Sequence, residues 1–225
     1  MILSRRARNI RNALRGKQVR PRLVLASKVA FASVMAAYLV ISAPGAALAD
    51  PIADTIATCS GCHGEQGIPV DKTIPVIWGQ RREYLLKQLH DFKTGHRKNE
   101  TMAAIVDPLT KDDMEALASY FASQKWPKID QPAPADDVKA KAFHAINTLN
   151  CRGCHQDHFQ GDYVRPSLRG QQQDYLVKTM KDFRSGDRAN FPAMSALMRA
   201  IDEADIEPVA AYLSSLPPEV PSAAK

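Results

Sequence analysis

The sequence predicts an all-α fold built from two tandem copies of one small helical domain, and three observations predict it. First, PVIWGQRREYLLKQLHDFKTGHRKN (75–99) aligns with PSLRGQQQDYLVKTMKDFRSGDRAN (166–190), with 11 of 25 positions identical. Second, apolar residues in both copies recur at three- and four-residue spacing, and no segment alternates as a strong strand pattern would. Third, the only four cysteines fall in two frames of the form C-x-x-C-H, CSGCH at 59–63 and CRGCH at 151–155.

The chain opens on a segment of different character. Residues 1–49 hold nine Lys/Arg and no acidic residue, whereas the remaining 176 residues hold 21 Lys/Arg against 24 Asp/Glu, a net charge of −3. The formal charge of +6 therefore belongs to the N-terminal segment alone, which removes the main support for a nucleic-acid partner. A long basic run, the apolar stretch VAFASVMAAYLVISA and the small-residue site Ala47-Leu48-Ala49 read as an export signal. Val29 to Ala49, 21 residues without a charge, is long enough to stay as an uncleaved membrane anchor. Either reading places the rest of the chain outside the cytoplasm, in the periplasm, soluble or membrane-associated.

The first domain is expected over residues 50–125. Tyr84, Leu85, Leu89 and Phe92 share a helix face, with Gly95 as the stop. Thr110-x-x-Asp113 has the form of a capping box, followed by Met114, Leu117 and Phe121 on one face. A Pro-rich extended linker is expected over 126–134. The second domain, 135–225, carries the stripe Val138, Ala142, Ile146 and Leu149 leading into Cys151, then Tyr175, Leu176, Met180 and Phe183 before Gly186. Its last helix begins near Asp202 but has Pro208 where the first copy has Ala116, which predicts a kink or a late start. Only nine residues separate Ala49 from Cys59, against a helical run of about 15 before Cys151, so the first copy's N-terminal helix is nearly absent.

A domain of about 80 residues with a few short helices has a small core and needs a metal, disulfides or a cofactor to stabilise it. The C-x-x-C-H frames are the place to look. Exported cysteines pair as disulfides, two C-x-x-C pairs make a four-thiolate zinc site, and a lone pair makes a redox dithiol. None of these needs a histidine directly after the second cysteine. Covalent attachment of c-type haem does: Cys59 and Cys62, or Cys151 and Cys154, form thioethers to the porphyrin, and His63 or His155 then ligates the iron. Two covalently attached haem c groups per chain are expected.

Each iron has a second axial position, and each copy offers a methionine in register, Met102 and Met194. Thioether ligation favours ferrous iron and raises the reduction potential. Met198 is the rival in the second copy, one helical turn on, while Met114 and Met180 fall on apolar helix faces. His90 and His96 are replaced by Lys181 and Asp187 in the second copy and read as solvated, and His144 and His158 are conceivable ligands only in an alternative state.

Taken together, C-x-x-C-H, P-x-[IL]-x-G-Q, Y-L, F-x-x-G-x-R and the downstream Met, each present twice across residues 50–216, resemble the two-haem class I cytochromes c of bacterial periplasm, the group called cytochrome c-four. The resemblance implies two tandem class I cytochrome c domains, each a few helices wrapped round a covalently attached haem, with the haems close together. It also implies that the carbonyls of Pro75 and Pro166 accept hydrogen bonds from the outer ring nitrogens of His63 and His155. The implied function is single-electron transfer rather than enzymatic turnover. The electrons would pass between redox protein partners, from a quinol-oxidising complex or dehydrogenase to a terminal oxidase. The alternative is a dedicated dihaem subunit of a periplasmic dehydrogenase complex, and less in favour is a dihaem peroxidase.

Overall fold

A computed structural model describes residues 52–218, so the export signal or anchor expected over 1–49 lies outside the described residues. Nine helices are formed among the described residues: α1 (Ala53–His63), α2 (Arg82–Lys93), α3 (Glu100–Val106), α4 (Lys111–Ser123), α5 (Asp136–Thr148), α6 (Arg152–His155), α7 (Gln173–Ser185), α8 (Pro192–Ala200) and α9 (Glu203–Ser215). Among the described residues no strand accompanies them beyond one isolated antiparallel bridge between Arg97 and Arg188. None of the described helices is long and apolar enough to cross a membrane.

Local chemistry sets where these helices begin. Thr110 Oγ1 accepts from Asp113 N at 3.1 Å while Thr110 N donates to Asp113 Oδ2 at 2.8 Å, the full capping box of α4. Asn99 Oδ1 caps α3 by accepting from Met102 N at 2.9 Å, and Pro192 opens α8, where its missing N–H costs nothing. Asp202 caps α9. That helix starts at Glu203, in register with Lys111 of α4, so the late start expected from Pro208 does not occur. Pro208 sits inside α9 and leaves the Ala204 carbonyl without its helical donor.

Each repeat has its own hydrophobic core. In the first, α2 packs on α3 and α4 around Leu85, Phe92, Val106, Leu117 and Phe121. In the second, α7 packs on α8 and α9, and α5 on α9, around Ile146, Leu176, Phe183, Ile206 and Leu213. The repeats differ at their N-terminal ends as the spacing before each first cysteine predicted. Cys59 and Cys62 lie within the single helix α1, whereas the second repeat has the 13-residue α5, a turn, and then the short α6.

Residues 125–135 form no helix, and Trp126 and Gln131 tie them to the second repeat. Gln131 Nε2 donates to the carbonyls of Gln171 and Ser214, both at 3.1 Å, and Gln131 Oε1 accepts from Gln173 N at 2.9 Å. Gly79 and Gly170, identical in the repeat, both take positive φ (70° and 62°). A side chain at Gly79 would meet the Trp126 backbone nitrogen at 3.0 Å. Each of these glycines donates its N–H to the end of the last helix of its own repeat, Phe121 O at 2.8 Å and Leu213 O at 3.1 Å.

Candidate functional site

A cavity of about 900 Å³ runs through both repeats. Cys59, Cys62, His63 and Met102 line it from the first, and Cys151, Cys154, His155 and Met194 from the second. The structure thus brings together all eight residues that the sequence marks as attachment points and axial ligands, and Pro75 and Pro166 line the same space.

The four cysteines form no disulfide with one another. Burial pushes the Cys59 thiol up to about 11 and raises Cys151 as well, so neither has the lowered value of a reactive redox dithiol. Among the described residues no three His, Cys, Asp or Glu side chains converge on a point that could hold a metal, so the frames do not assemble a four-thiolate site. Half-buried cysteines beside exposed ones, spaced three apart along the rim of an apolar cavity, suit attachment to a flat hydrophobic group.

Both histidines are buried, and burial holds both imidazoles below the usual histidine range. His63 Nδ1 donates to Pro75 O at 2.8 Å, and His155 Nδ1 donates to Pro166 O at 3.2 Å. A neutral imidazole with its proton on Nδ1 has its lone pair on Nε2, the form that ligates a metal.

Met102 is the third residue of α3 and Met194 the third residue of α8. Met198 also borders the cavity, but its side chain is 4% exposed and belongs to the second core. In the repeat register Met198 corresponds to Val106, which is fully buried in the first core. Among the remaining histidines, His90 and His96 are exposed, and none of His90, His96, His144 and His158 lines the cavity.

Where the repeats meet, the cavity wall turns polar. Arg97 donates to Tyr175 Oη, and the equivalent Arg188 to Tyr84 Oη, both at 3.2 Å. The two guanidiniums also share one acceptor, Gln88 Oε1, each at 2.9 Å. Two cations around one neutral oxygen leave positive charge unmatched. Burial raises the hydroxyl value of Tyr84, and it acts on Tyr175 in the same direction, but the two arginines outweigh it and bring Tyr175 down to about 7. Gln88 Nε2, buried beside them, has no acceptor. An orphaned amide donor and excess cationic charge on the cavity wall fit a ligand that brings carboxylates, and haem carries two. The residues present therefore fit haem, whose carboxylates Arg97, Arg188 and Gln88 would hold.

The seam residues were not among the predicted site residues. Four of the five have a signal in the sequence all the same: Tyr and Arg at 84/175 and 97/188 are among the 11 identities that fix the repeat register, while Gln88 is matched by Thr179.

Comparison with known proteins agrees with this geometry. The family model for cytochrome c matches residues 140–217. Cytochrome c4 of Stutzerimonas stutzeri is 32% identical over 180 residues, covering 72% of this chain and 85% of that protein. The crystal structure of reduced recombinant cytochrome c4 from Pseudomonas stutzeri superposes with a TM-score of 0.65 at 30% identity, covering 72% of this chain and 95% of that one. A thiosulfate dehydrogenase electron acceptor of Stutzerimonas stutzeri (strain A1501) is 29% identical over 169 residues, covering 70% of this chain and 78% of that protein.

Proposed function

The chain belongs to the cytochrome c4 family of dihaem c-type electron-transfer proteins, and from that premise we propose that it carries single electrons in the periplasm from a quinol-oxidising complex or a dehydrogenase to a terminal oxidase. In this reading residues 1–49 export the chain, residues 50–125 and 135–225 are the two haem domains, and residues 126–134 link them. Cys59 and Cys62 attach one haem and Cys151 and Cys154 the other. His63 with Met102, and His155 with Met194, would hold the two irons.

The observation that carries this reading is the matched placement of the ligand pairs. In each repeat a histidine with its Nδ1 proton held by a proline carbonyl and a methionine at the third position of a short helix line one cavity. When bound, each haem supplies an iron that changes oxidation state by one electron without breaking a substrate bond. The protein's part would be to hold each iron with a histidine and a methionine, leaving no position for substrate. It would also surround the group with apolar side chains, and Arg97 and Arg188 would hold its carboxylates. These features support a carrier rather than a peroxidase, and the relatives are likewise named as cytochromes and an electron acceptor.

A second reading, a dedicated acceptor for one periplasmic dehydrogenase, draws support from the likeness to the thiosulfate dehydrogenase electron acceptor. The two are separated by supplying the oxidised protein with membranes plus quinol, and in parallel with a thiosulfate dehydrogenase plus thiosulfate. Quinol-dependent reduction followed by reoxidation through a terminal oxidase is the expected result. Reduction by the dehydrogenase alone would assign the chain to the second reading.

A further inference from the structure

The repeats exchange one contact that reaches the haem ligands. Gln80, in the first repeat, accepts from Ser167 N at 2.8 Å and donates to Ser167 O at 3.0 Å in the second. Gln171, in the second repeat, accepts from Val76 N at 2.8 Å and donates to Val76 O at 3.0 Å in the first. Ser167 N and Pro166 O belong to the same peptide group, as do Val76 N and Pro75 O. Each histidine therefore ends a three-part chain that starts in the other repeat. His155 Nδ1–H meets the Pro166 carbonyl, whose peptide N–H meets Gln80; His63 Nδ1–H meets the Pro75 carbonyl, whose peptide N–H meets Gln171.

We propose that Gln80 and Gln171 are crossed positioning residues, each tuning the haem of the opposite repeat through the peptide that orients its histidine. This rests on the ligand assignment given under Proposed function. A peptide whose N–H is hydrogen-bonded is a stronger acceptor at its oxygen, because the two bonds polarise the same group. A stronger acceptor at Nδ1–H makes the imidazole a better donor to iron and favours the ferric state. The sites are dry enough for this to matter: Gln80 and Gln171 are both 3% exposed, Val76 is 1% and Ser167 is 8% exposed. Water has little access to replace a lost amide acceptor. An interface role alone would instead affect both haems together, since the two glutamines occupy equivalent places in one seam.

The test compares Gln80→Met and Gln171→Met, which keep side-chain length but lose the amide, in the full dihaem protein. Met102→His marks the first repeat's haem by lowering its potential. Gln80→Met is expected to raise the potential of the unmarked haem, moving its ferric–ferrous equilibrium by about two- to threefold, and to leave the marked one within a third of that shift. Gln171→Met is expected to do the reverse. Independently, in the ferrous protein the His155 Nδ1–H proton resonance, assigned by its contact with Pro166, moves upfield in Gln80→Met while that of His63 stays. Gln80→Glu, which keeps the acceptor oxygen, causes no upfield shift. Equal effects on both haems, or an effect on the haem of the glutamine's own repeat, overturn the proposal. If Met102→His moves neither potential, the ligand assignment is wrong, and the proton resonances still decide the crossed coupling.

Discussion

Arg188, only 5% exposed, donates to the Tyr84 hydroxyl at 3.2 Å across the seam between the repeats. A buried cation next to a redox centre stabilises the state with one more electron. Arg188→Met should therefore lower the potentials, by roughly 1–2 kcal/mol per electron transferred, the size of an interaction between partly buried charges. Arg97→Met should do the same more weakly, because Arg97 is less buried and more screened. Tyr84→Phe removes no charge and should change the potentials far less. A spectroelectrochemical titration of the three variants checks the order, and an Arg188→Met potential at or above the parent would refute it.

Met102→His and Met194→His should each lower one potential and leave the other nearly unchanged, since imidazole stabilises ferric iron better than thioether does. Met198→Leu should keep the full methionine-to-iron absorption and cost less than about 1.5 kcal/mol in stability, as a volume-conserving core change. If Met198→Leu removes half of that band and Met194→Leu does not, the second repeat's ligand lies one helical turn further on.

The two repeats solve one backbone position in opposite ways, which gives a stability prediction. Gly67 has φ +79°, and an added Cβ would lie 2.7 Å from the Trp78 ring. Its counterpart Phe159 holds φ +58° with a large side chain 1% exposed in the second core, where the counterpart of Trp78 is Arg169. Gly67→Ala should cost about 1–3 kcal/mol through left-handed backbone and overpacking. Phe159→Ala should cost about 3–5 kcal/mol, because a large buried ring is lost. Denaturant unfolding followed by far-ultraviolet circular dichroism measures both, and a Gly67→Ala protein as stable as the parent would contradict the packing described.

Much of this was legible in the chain. The helices α2, α4, α7 and α9 carry amphipathic faces, and α4 and α9 carry capping side chains, so periodicity finds them. The seven-residue α3, which carries Met102, is too short to show a period, whereas α8 spaces Met194, Leu197 and Met198 three and four residues apart, and it is the shared repeat register that singles out Met102 and Met194. Pro208 suggested a late start that the Asp202 cap prevents, because a strong cap outweighs one missing hydrogen bond. The seam could not be read as such. Gln80, Gln171, Arg97 and Arg188 are visibly repeated, but their partners lie 78 to 104 residues away, and neither helix period nor motif spacing encodes that pairing.

The central claim is that one chain carries two haems, each closed by histidine and methionine, and moves electrons singly. It is tested most directly by a potentiometric titration of the purified oxidised protein, followed through the visible bands and the weak methionine-to-iron band at the red end. The predicted result is uptake of two electrons per chain in two one-electron steps, with the methionine band accounting for both haems and vanishing on reduction. A single haem per chain, or a haem without that band that turns over peroxide, would contradict the account.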